Sequence, residues 1–243
     1  MSRLFNVLAF APVMVAVCTF ATSCGSSSST AQYRVVQTIP DAPGNLDVSI
    51  DGKSVFTNVA FGSTEPISGY KSVATGSDPI EVSQTGTATP IINSTNLNLM
   101  NAGTQSTVLL TGLYAAPTAV ALGDNNTAPL SSQAELRIVD ASPSAPASLD
   151  IYIAAPGVDI TQFEPTISAL QFAQQSAYVD LTVEKSGYAE VMVIVTKSGD
   201  PSKTQLANQM YTLSEGQIRT LVLVDVSGGG ALSFVPLELN DLN

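Results

Sequence analysis

Carboxylates are the side chains of this sequence that could act as an acid and base pair. The 243 residues include no histidine, and Cys18 and Cys24 are the two cysteines. Without histidine, Ser-His-Asp and Cys-His nucleophile systems are excluded in their usual form. Paired carboxylates, as in glycoside hydrolysis, need no histidine. Asp159 and Glu164 are the nearest candidate pair, but acids in loops are usually solvated, so we predict no catalytic residues.

Three other aspartates could bind a cation. Asp41, Asp47 and Asp51 could offer carboxylate oxygens to calcium. Their spacing is not that of a calcium loop, and the alternation of a strand would place Asp47 and Asp51 along a line rather than around a point. We therefore predict no metal and no cofactor.

The charge of the chain disfavours nucleic acid as a partner. The formal net charge is -11, from 9 basic and 20 acidic residues. No cluster of lysine or arginine is present to replace the counterions of a phosphate backbone. The acidic residues are scattered singly, as on an ordinary solvated surface.

The first 24 residues have the pattern of an export signal. Arg3 supplies the positive end, and Leu4–Val17 is apolar apart from Asn6 and Pro12. A membrane-spanning helix needs about 20 apolar residues, and a proline in the middle would break it. The pattern therefore predicts that this segment is cleaved from the mature protein.

The end of this segment, Ala21-Thr22-Ser23-Cys24, resembles the bacterial lipobox, in which small residues precede a cysteine that is acylated on sulfur. The position of Ala21 is usually leucine, so simple cleavage and secretion stay an alternative. The resemblance implies lipidation of Cys24 and a membrane partner through an N-terminal lipid anchor. The serine-rich residues 25–32 would then form a flexible tether. The expected location is the outer membrane, the periplasm or the cell surface.

The sequence beyond the tether contains one unit twice. Residues 34–50 match residues 137–153 at an offset of 103, with eight identical pairs. Later matches have offsets of 111 and 113, so length is added only where loops are expected. The identical pairs of the first stretch are Arg34/Arg137, Val36/Val139, Pro40/Pro143, Ala42/Ala145, Pro43/Pro146, Leu46/Leu149, Asp47/Asp150 and Ile50/Ile153.

Apolar residues recur with the period of β-strands. Leu46–Ile50 and Leu149–Ile153 alternate apolar with polar or amphipathic residues, as a strand with one buried face requires. Val108–Leu110, Val191–Val195 and Leu221–Val224 are continuous apolar runs, short enough to be central strands. Glycine and proline turns recur about every ten residues.

These patterns predict an all-β chain of two tandem immunoglobulin-like or transthyretin-like β-sandwiches, each with its own separate core. Residues 167–176 could form a short helix, but their match to the region around Phe61 predicts a strand. The predicted segments are a lipoprotein signal peptide at 1–24, the tether at 25–32, a first sandwich at 33–124, a linker at 125–133 and a second sandwich at 134–243.

The motifs of both units resemble bacterial secreted proteins that carry the uncharacterised domain family numbered 4397. The first unit has the family's proline loop, its alternating strand and its Asp-Gly turn; the second keeps the loop but has Ser144 in place of the aspartate and lacks the turn. The resemblance implies an exported β-sandwich and no established activity. The motifs are Pro40-Asp41-Ala42-Pro43, Asp47-Val48, Asp51-Gly52 and Asn58–Gly62, then Ala141–Pro143, Ala145-Pro146 and Asp150–Tyr152.

Two pairs of opposite charge recur in both units. Arg34 with Asp47, and Arg137 with Asp150, fall on strands that should be neighbours, so we predict a cross-strand ion pair in each unit. Such a pair, if exposed, would contribute about 0–1 kcal/mol and would help to set register.

The proline loops have two interpretations. Pro40 with Pro43, and Pro143 with Pro146, could form a rigid recognition tip at one end of each sandwich. The alternative is that proline, by restricting φ, directs the chain from one sheet to the other.

Three functions are compatible with these features. The first is a non-enzymatic cell-envelope lipoprotein with a surface interaction or structural role, through loops or exposed strand edges. The second is a glycan-binding module that places Tyr70, Tyr152 or Tyr188 against sugar rings. The third is a carboxylate-dependent hydrolase. We favour the first, with a protein or a glycan as its ligand at the cell surface.

Overall fold

The computed structural model describes residues 30–67, 69–75, 79–94, 97, 102–227 and 235–242. These residues form seventeen β-strands and one 3₁₀ helix, which confirms the all-β prediction. The predicted signal peptide, with Cys18 and Cys24, lies outside the described residues. Within the part described, no helix has the length and apolar character needed to cross a membrane.

The first half of the structure, residues 30–124, contains nine strands among the residues that the structure describes. β1 begins at Thr30, so the last three residues of the predicted tether are part of a strand. The strands are β1 (Thr30–Gln37), β2 (Leu46–Ile50), β3 (Lys53–Val59), β4 (Thr64–Glu65), β5 (Lys71–Ala74), β6 (Ile80–Gln84), β7 (Pro90–Ser94), β8 (Gln105–Leu113) and β9 (Ala116–Gly123).

The second half, residues 133–242, contains eight strands among its described residues. A 3₁₀ helix at Ile160–Gln162 lies in the loop after the second of them. The strands are β10 (Gln133–Asp140), β11 (Leu149–Ala154), β12 (Ile167–Leu170), β13 (Val179–Thr182), β14 (Tyr188–Lys197), β15 (Gln205–Ser214), β16 (Ile218–Val224) and β17 (Val235–Leu242).

Each half has an inner and an outer sheet. In the first half the inner sheet has the order β4-β1-β8-β9, with β5 also paired to β1, and the outer sheet has the order β3-β2-β6-β7. In the second half the corresponding orders are β13-β10-β16-β17 and β12-β11-β14-β15. The predicted continuous apolar runs lie on β8, β14 and β16, and each of these strands has a neighbour on both sides, as predicted. Residues 167–170 form the strand β12, also as predicted.

The inner sheets are buried on both faces. Each half has its own core between its inner and outer sheets. A third core lies between the two inner sheets, because β1, β8, β10 and β16 are nearly continuous apolar strands with no water-facing side. Each half has its own core, as predicted, but the third core, which the two halves share, was not predicted. Its residues are Val36, Leu109, Leu122, Val139, Ala141, Val222, Val224 and Leu239.

The inner sheets contain one parallel pair each. β1 runs parallel to β8, which places Arg34 beside Thr107. β10 runs parallel to β16, which places Arg137 beside Thr220. Tyr33 and Val35, the neighbours of Arg34, point into the core of the first half. Because side chains alternate along a strand, Arg34 points the other way, toward the second half.

Candidate functional site

Two buried arginines face each other across the contact between the halves. The side chain of Arg34 is 3% exposed and that of Arg137 is 1% exposed. Buried charges need partners, and each guanidinium contacts one aspartate from each half. The aspartates are Asp124, which follows β9, and Asp241, which lies in β17, and both side chains are fully buried.

The first-half part of this charge cluster is centred on Asp124. Nε of Arg34 donates to Oγ1 of Thr107 at 2.7 Å, and that hydroxyl donates to Oδ2 of Asp124 at 2.7 Å. The hydroxyl of Tyr70 donates to the same oxygen at 3.0 Å, and the guanidinium of Arg34 lies 5.0 Å from the Tyr70 ring. Nη2 of Arg34 is 3.5 Å from Oδ2 of Asp124.

The second-half part has the same arrangement around Asp241. Nε of Arg137 donates to Oγ1 of Thr220 at 2.9 Å, and that hydroxyl donates to Oδ2 of Asp241 at 2.5 Å. The hydroxyl of Tyr178 donates to the same oxygen at 3.0 Å, and its ring lies 4.7 Å from the guanidinium of Arg137. Nη2 of Arg137 is 3.7 Å from Oδ2 of Asp241.

The closest arginine–aspartate contacts of the cluster cross between the halves. Arg34 donates through Nη2 to Oδ1 of Asp241, and through Nη1 to the backbone oxygen of Asn240 at 2.8 Å. Arg137 donates through Nη2 to Oδ1 of Asp124 at 2.6 Å, and through Nη1 to the backbone oxygen of Gly123 at 2.7 Å. Each arginine therefore joins its own half to the other through a planar fork of donors, a geometry that lysine cannot reproduce.

The electrostatics of the cluster keep Arg34 charged. Burial opposes the charge of Arg34, but Asp124 and Asp241 outweigh it and raise the pKa of its guanidinium. Burial raises the pKa of Tyr70 and of Tyr178, so both phenols stay protonated and donate. Two positive and two negative charges cancel, which makes burial of the group tolerable. With every charge paired and none exposed, the arrangement fits a structural clamp and offers no group for acid-base chemistry.

The tyrosine hydroxyls should contribute measurably to the clamp. We expect Tyr70→Phe and Tyr178→Phe each to lower the free energy of unfolding by about 1–2 kcal/mol, because each removes a donor from a buried carboxylate and keeps the ring. Chemical denaturation followed by circular dichroism would measure it. Tyr188→Phe is the control, since Tyr188 is 39% exposed and should change little. Equal effects at all three positions would contradict the assignment.

The predicted ion pairs of Arg34 with Asp47 and of Arg137 with Asp150 are wrong. Asp47 lies on β2 in the outer sheet, where its Oδ1 accepts from the backbone N of Asn58 at 2.7 Å and from Oγ1 of Thr85 at 2.8 Å. Arg34 is on the inner sheet and points to the opposite side. The sequence pairing failed because it assumed that consecutive strands are neighbours, whereas β1 and β2 belong to different sheets.

Asp150 repeats the role of Asp47. It accepts from the backbone N of Ala169, from Oγ of Ser198 and from the backbone N of Gly199. Burial alone would raise the pKa of Asp150, but these hydrogen bonds together lower it. Ala169, like Asn58 in the first half, has a positive φ. The repeated aspartate therefore holds a strained residue of the neighbouring strand in a left-handed conformation, which non-glycine residues adopt at a cost.

The structure does not bring the three candidate calcium ligands together. Oδ1 of Asp41 accepts from the backbone N of Tyr114 at 2.7 Å, Asp47 holds the β2–β3 bulge, and Asp51 lies 3.3 Å from Lys53 at an exposed turn. Among the residues that the structure describes, no group of three or more acidic, histidine or cysteine side chains could hold a metal ion.

The candidate acid pair lies at the surface. Asp159 caps the 3₁₀ helix by accepting from the backbone N of Thr161 at 3.0 Å, and this hydrogen bond lowers the pKa of its carboxyl. Asp159 and Glu164 are both exposed, on either side of the helix. An exposed carboxylate with a lowered pKa is a poor proton donor, so the arrangement does not favour general acid catalysis.

Of the three candidate sugar-stacking tyrosines, Tyr152 is buried and Tyr70 is partly buried. The ring of Tyr70 packs under Arg34 in the clamp, and Tyr152 is 4% exposed with Nζ of Lys203 5.1 Å from its ring centre. Tyr188 alone of the three has an exposed ring, at one end of β14. An open aromatic platform made of these side chains is therefore not present.

The proline loops direct the chain from an inner to an outer sheet. Pro40 is buried between β1 and β2, and the loop is held to the β8–β9 turn by Asp41. In the second half, Oγ of Ser144 donates to Oδ1 of Asp225 at 2.7 Å, just beyond β16. Both loops are bonded to their own half, which favours the structural interpretation over a free recognition tip.

Comparison with protein families identifies the chain. The model described as "Domain of unknown function (DUF4397)" matches residues 31–152, which is half of the sequence. The chain belongs to the DUF4397 family. The match covers the first half of this DUF4397 protein and the strands β10 and most of β11 of the second. It therefore includes both clamp arginines and Asp124.

Comparison with curated proteins and solved structures adds little to the family assignment. No curated protein matches the DUF4397 chain. Among solved structures, a product complex of the multi-modular glycogen-degrading pneumococcal virulence factor SpuA has a TM-score of 0.28 and 9% identity, over 82% of this chain and 21% of that one. A structure titled "Alpha-glucan binding by a streptococcal virulence factor" has a TM-score of 0.25 and 9% identity, over 80% and 93%. These likenesses are too low to carry an argument, and this chain spans about a fifth of the first protein's length.

A cleft of about 580 Å³ lies beside the clamp of the DUF4397 protein. Its wall includes Asp124, Asn125 and Asn126. Nδ2 of Asn125 donates to Glu135 at 2.9 Å, and Nδ2 of Asn126 donates to the backbone oxygen of Asp241. The amides of Asn125 and Asn126 therefore tie the segment between the halves to the second half, next to the clamp.

A further buried carboxylate, outside the clamp, was not predicted from the sequence. Asp140, at the end of β10, has no exposed surface, and its Oδ1 accepts from the backbone N of Ser142 at 3.0 Å. Its Oδ2 has no hydrogen-bond partner among the described residues. Burial raises the pKa of Asp140 to about 7; the hydrogen bond from Ser142 opposes this shift, and the charge of Asp225 adds to it. In the first half the equivalent residue is Gln37, an uncharged amide.

The sequence contained a signal for the missed members of the clamp. Tyr70 and Tyr178 are separated by 108 residues, and Asp124 and Asp241 by 117. The separation of the aspartates continues the offsets that grow from 103 through 111 to 113, so the internal sequence match could pair them. The separation of the tyrosines is smaller than the offset of 111 on either side of them, so these two residues align only with a gap. Such offsets indicate which residues of the two halves are equivalent. They do not show that the residues of one half contact those of the other.

Proposed function

We propose that this protein is a non-enzymatic, lipid-anchored protein of the bacterial cell envelope that serves as a rigid interaction module, with both halves being copies of the family's domain. The observation that carries the proposal is the buried clamp of Arg34, Arg137, Asp124 and Asp241, which makes one stiff body of two sandwiches. A preorganised body loses less entropy on binding than a flexible pair of domains would.

The position of the first strand supports anchoring. β1 begins at Thr30, six residues after Cys24, so an acylated cysteine would lie at most about 20 Å from the sandwich. On that short tether the outer sheets and their loops would be the surfaces available to partners. Several acyl chains, at about 0.8 kcal/mol per buried CH₂, would hold the protein on the membrane durably.

The charge of the chain supports a protein or glycan as partner rather than nucleic acid. Two of its nine basic residues, Arg34 and Arg137, are buried and paired with aspartates in the clamp, and the net charge is -11. Partial burial of Tyr70 under Arg34 and burial of Tyr152 leave the glycan alternative without its stacking surface. The lowered pKa of the exposed Asp159 leaves the hydrolase alternative without a good proton donor. A protein ligand is therefore the form of the proposal that we favour.

Lipidation at Cys24 predicts a specific change of location. In a bacterial host, Cys24→Ser should move the protein from the membrane fraction to the soluble fraction and remove several hundred daltons of lipid from its intact mass. Cys18→Ser is the matched control and should change neither. Wild-type protein with the mass of an unmodified polypeptide would overturn the anchor.

The interaction role can be tested on living cells. Photoreactive amino acids at exposed apolar positions spread over the surface, Ile67, Leu130, Phe163 and Met210, should give discrete cross-linked products from at least one position. The expected result is one face with products and the others without. If no position yields a product, the interaction role is wrong.

A further inference from the structure

The strand β15 is an unprotected edge strand of the outer sheet in the second half. It is ten residues long, and β14 is its strand partner among the described residues. A single bulge occurs near its start, opposite Val195 and Thr196, and the pairing from Ala207 to Ser214 is regular. The strand contains no charged residue and no proline, the two devices that usually prevent an edge from pairing with another chain.

The other edges of the described sheets are protected. β3 has a lysine and two irregularities of register, and β7 begins with a proline. β12 and β13 have four residues each, and β9 and β17 contain a proline. The contrast suggests that β15 is left open for a reason other than stability.

The surface next to this edge has an apolar strip. Tyr211 and Leu213 of β15 point into the second-half core, so the alternating residues Asn208, Met210 and Thr212 face outward. Met210 is 52% exposed and pairs with Met192 of β14. A cleft of about 250 Å³ continues the strip, with Met192 and Ile194 as its floor and Val158, Gln205 and Asn208 among its walls.

Carboxylates lie at both ends of the strip. Asp159 is in the wall of the cleft, and its hydrogen bond from Thr161 keeps it ionised. Glu190 is exposed on β14, opposite Thr212. Lys203 lies near Asp159 and its positive charge helps to lower the pKa of that carboxyl, but its ammonium donates to the backbone oxygens of Ile160 and Phe163 and no ion pair joins it to Asp159 among the described residues.

We propose that β15 binds an extended polypeptide segment of another protein as an additional strand, with an apolar side chain of that segment in the cleft and flanking lysine or arginine side chains at Asp159 and Glu190. Backbone hydrogen bonds along the edge supply affinity, and the cleft and the carboxylates supply selectivity. A second copy of this chain is disfavoured as the occupant, because it would bring the same carboxylates and a net charge of -11 to the same place. This inference rests on the proposed interaction role and specifies the kind of partner that the protein would bind.

The probe for this site is a blocked ten-residue peptide of alternating lysine and valine, added to the full-length protein. We expect saturable binding by fluorescence anisotropy, weakened at least tenfold by Met210→Lys. The double variant Asp159→Asn, Glu190→Gln should weaken binding about tenfold at low salt and reduce its salt dependence; asparagine at position 159 can still cap the 3₁₀ helix. The control, Asp180→Asn with Glu184→Gln, removes two exposed charges away from the strip and should bind as wild type.

Hydrogen exchange locates the contact. The peptide should protect backbone amides of β15 and leave those of β12, at the opposite edge of the same sheet, unchanged. Binding without protection of β15, equal binding of a glutamate–valine peptide, or equal loss in the control variant would overturn the inference. Protection of β15 that rises with protein concentration alone would assign the edge to a second copy instead.

The two proposals fail in different ways. If cross-links form on cells from Leu130 or Ile67 but not from Met210, the protein is an interaction module and the β15 site is wrong. If no surface position cross-links, the interaction role itself is wrong.

Discussion

Replacing Arg137 with methionine is expected to lower the free energy of unfolding by about 3–5 kcal/mol. The guanidinium donates to Thr220, Gly123, Gln175 and Asp124, and its side chain is 1% exposed. Without the guanidinium, the buried clamp keeps two carboxylates but only one arginine. The expected loss of stability is that of burying a charge without its partner. Denaturation by urea, followed by circular dichroism, would measure the change.

A surface pair provides the control for this prediction. Lys53 lies 3.3 Å from Asp51, and its side chain is 80% exposed. Lys53→Met removes the same kind of charge from a solvated pair and should change the free energy of unfolding by less than about 1 kcal/mol. A similar effect of the two substitutions would mean that the clamp does not contribute as a buried network.

The geometry of the clamp makes two further variants informative. Arg137→Lys keeps the charge but not the fork of donors, so it should recover only part of the loss. Arg137→Met combined with Asp124→Asn should cost less than the sum of the single changes, because each single change already leaves the other group unpaired. Strict additivity would argue against a direct interaction between the two.

Asp140→Asn is expected to stabilise the protein above neutral pH by roughly 2–4 kcal/mol. The folded state holds the proton of Asp140 up to a pKa of about 7, whereas the unfolded chain releases it near 3.8. Between those values the unfolded state binds fewer protons, so the contribution of this group to stability is complete below pH 4 and falls by about 1.4 kcal/mol per pH unit until pH 7.

The difference between variant and wild type isolates this contribution from the other carboxylates. It should be small at pH 4, grow in favour of the variant up to pH 7 and then stay constant. Asparagine can still accept from the backbone N of Ser142, and the equivalent first-half residue, Gln37, is already an amide. Asp180→Asn, at an exposed position, should show no such pH dependence. A constant difference from pH 4 to pH 8 would contradict the assignment.

The strands of the fold were predictable because their signal is local. Alternation in Leu46–Ile50 and the continuous run Val191–Val195 each require only that neighbouring residues face opposite sides or lie between two layers. The start of β1 at Thr30 was missed, since Thr30, Ala31 and Gln32 follow a serine run and carry no strong period of their own.

Partners of the charged residues were not predictable in the same way. The sequence match between the halves identified Arg34 and Arg137 as equivalent residues. The predicted ion-pair partners, Asp47 and Asp150, lie on the next strand in sequence. In the structure β1 lies beside β8, so the neighbour of Arg34 comes from 73 residues away, and its partner in the other half, Asp241, from 207. No local pattern records a pairing of that separation.

The sequence by itself determined the all-β class, the short stretches that match between the two halves, the absence of histidine chemistry and the membership of the family, because composition, period and motif are properties of short segments. Tertiary structure alone decided that the inner sheets face each other, that two arginines and two aspartates meet there with no exposure, and that β15 is left with an open edge. These features depend on which strands become neighbours and which faces become buried, and burial is what converts isolated charges into a clamp and an uncharged strand into a binding edge.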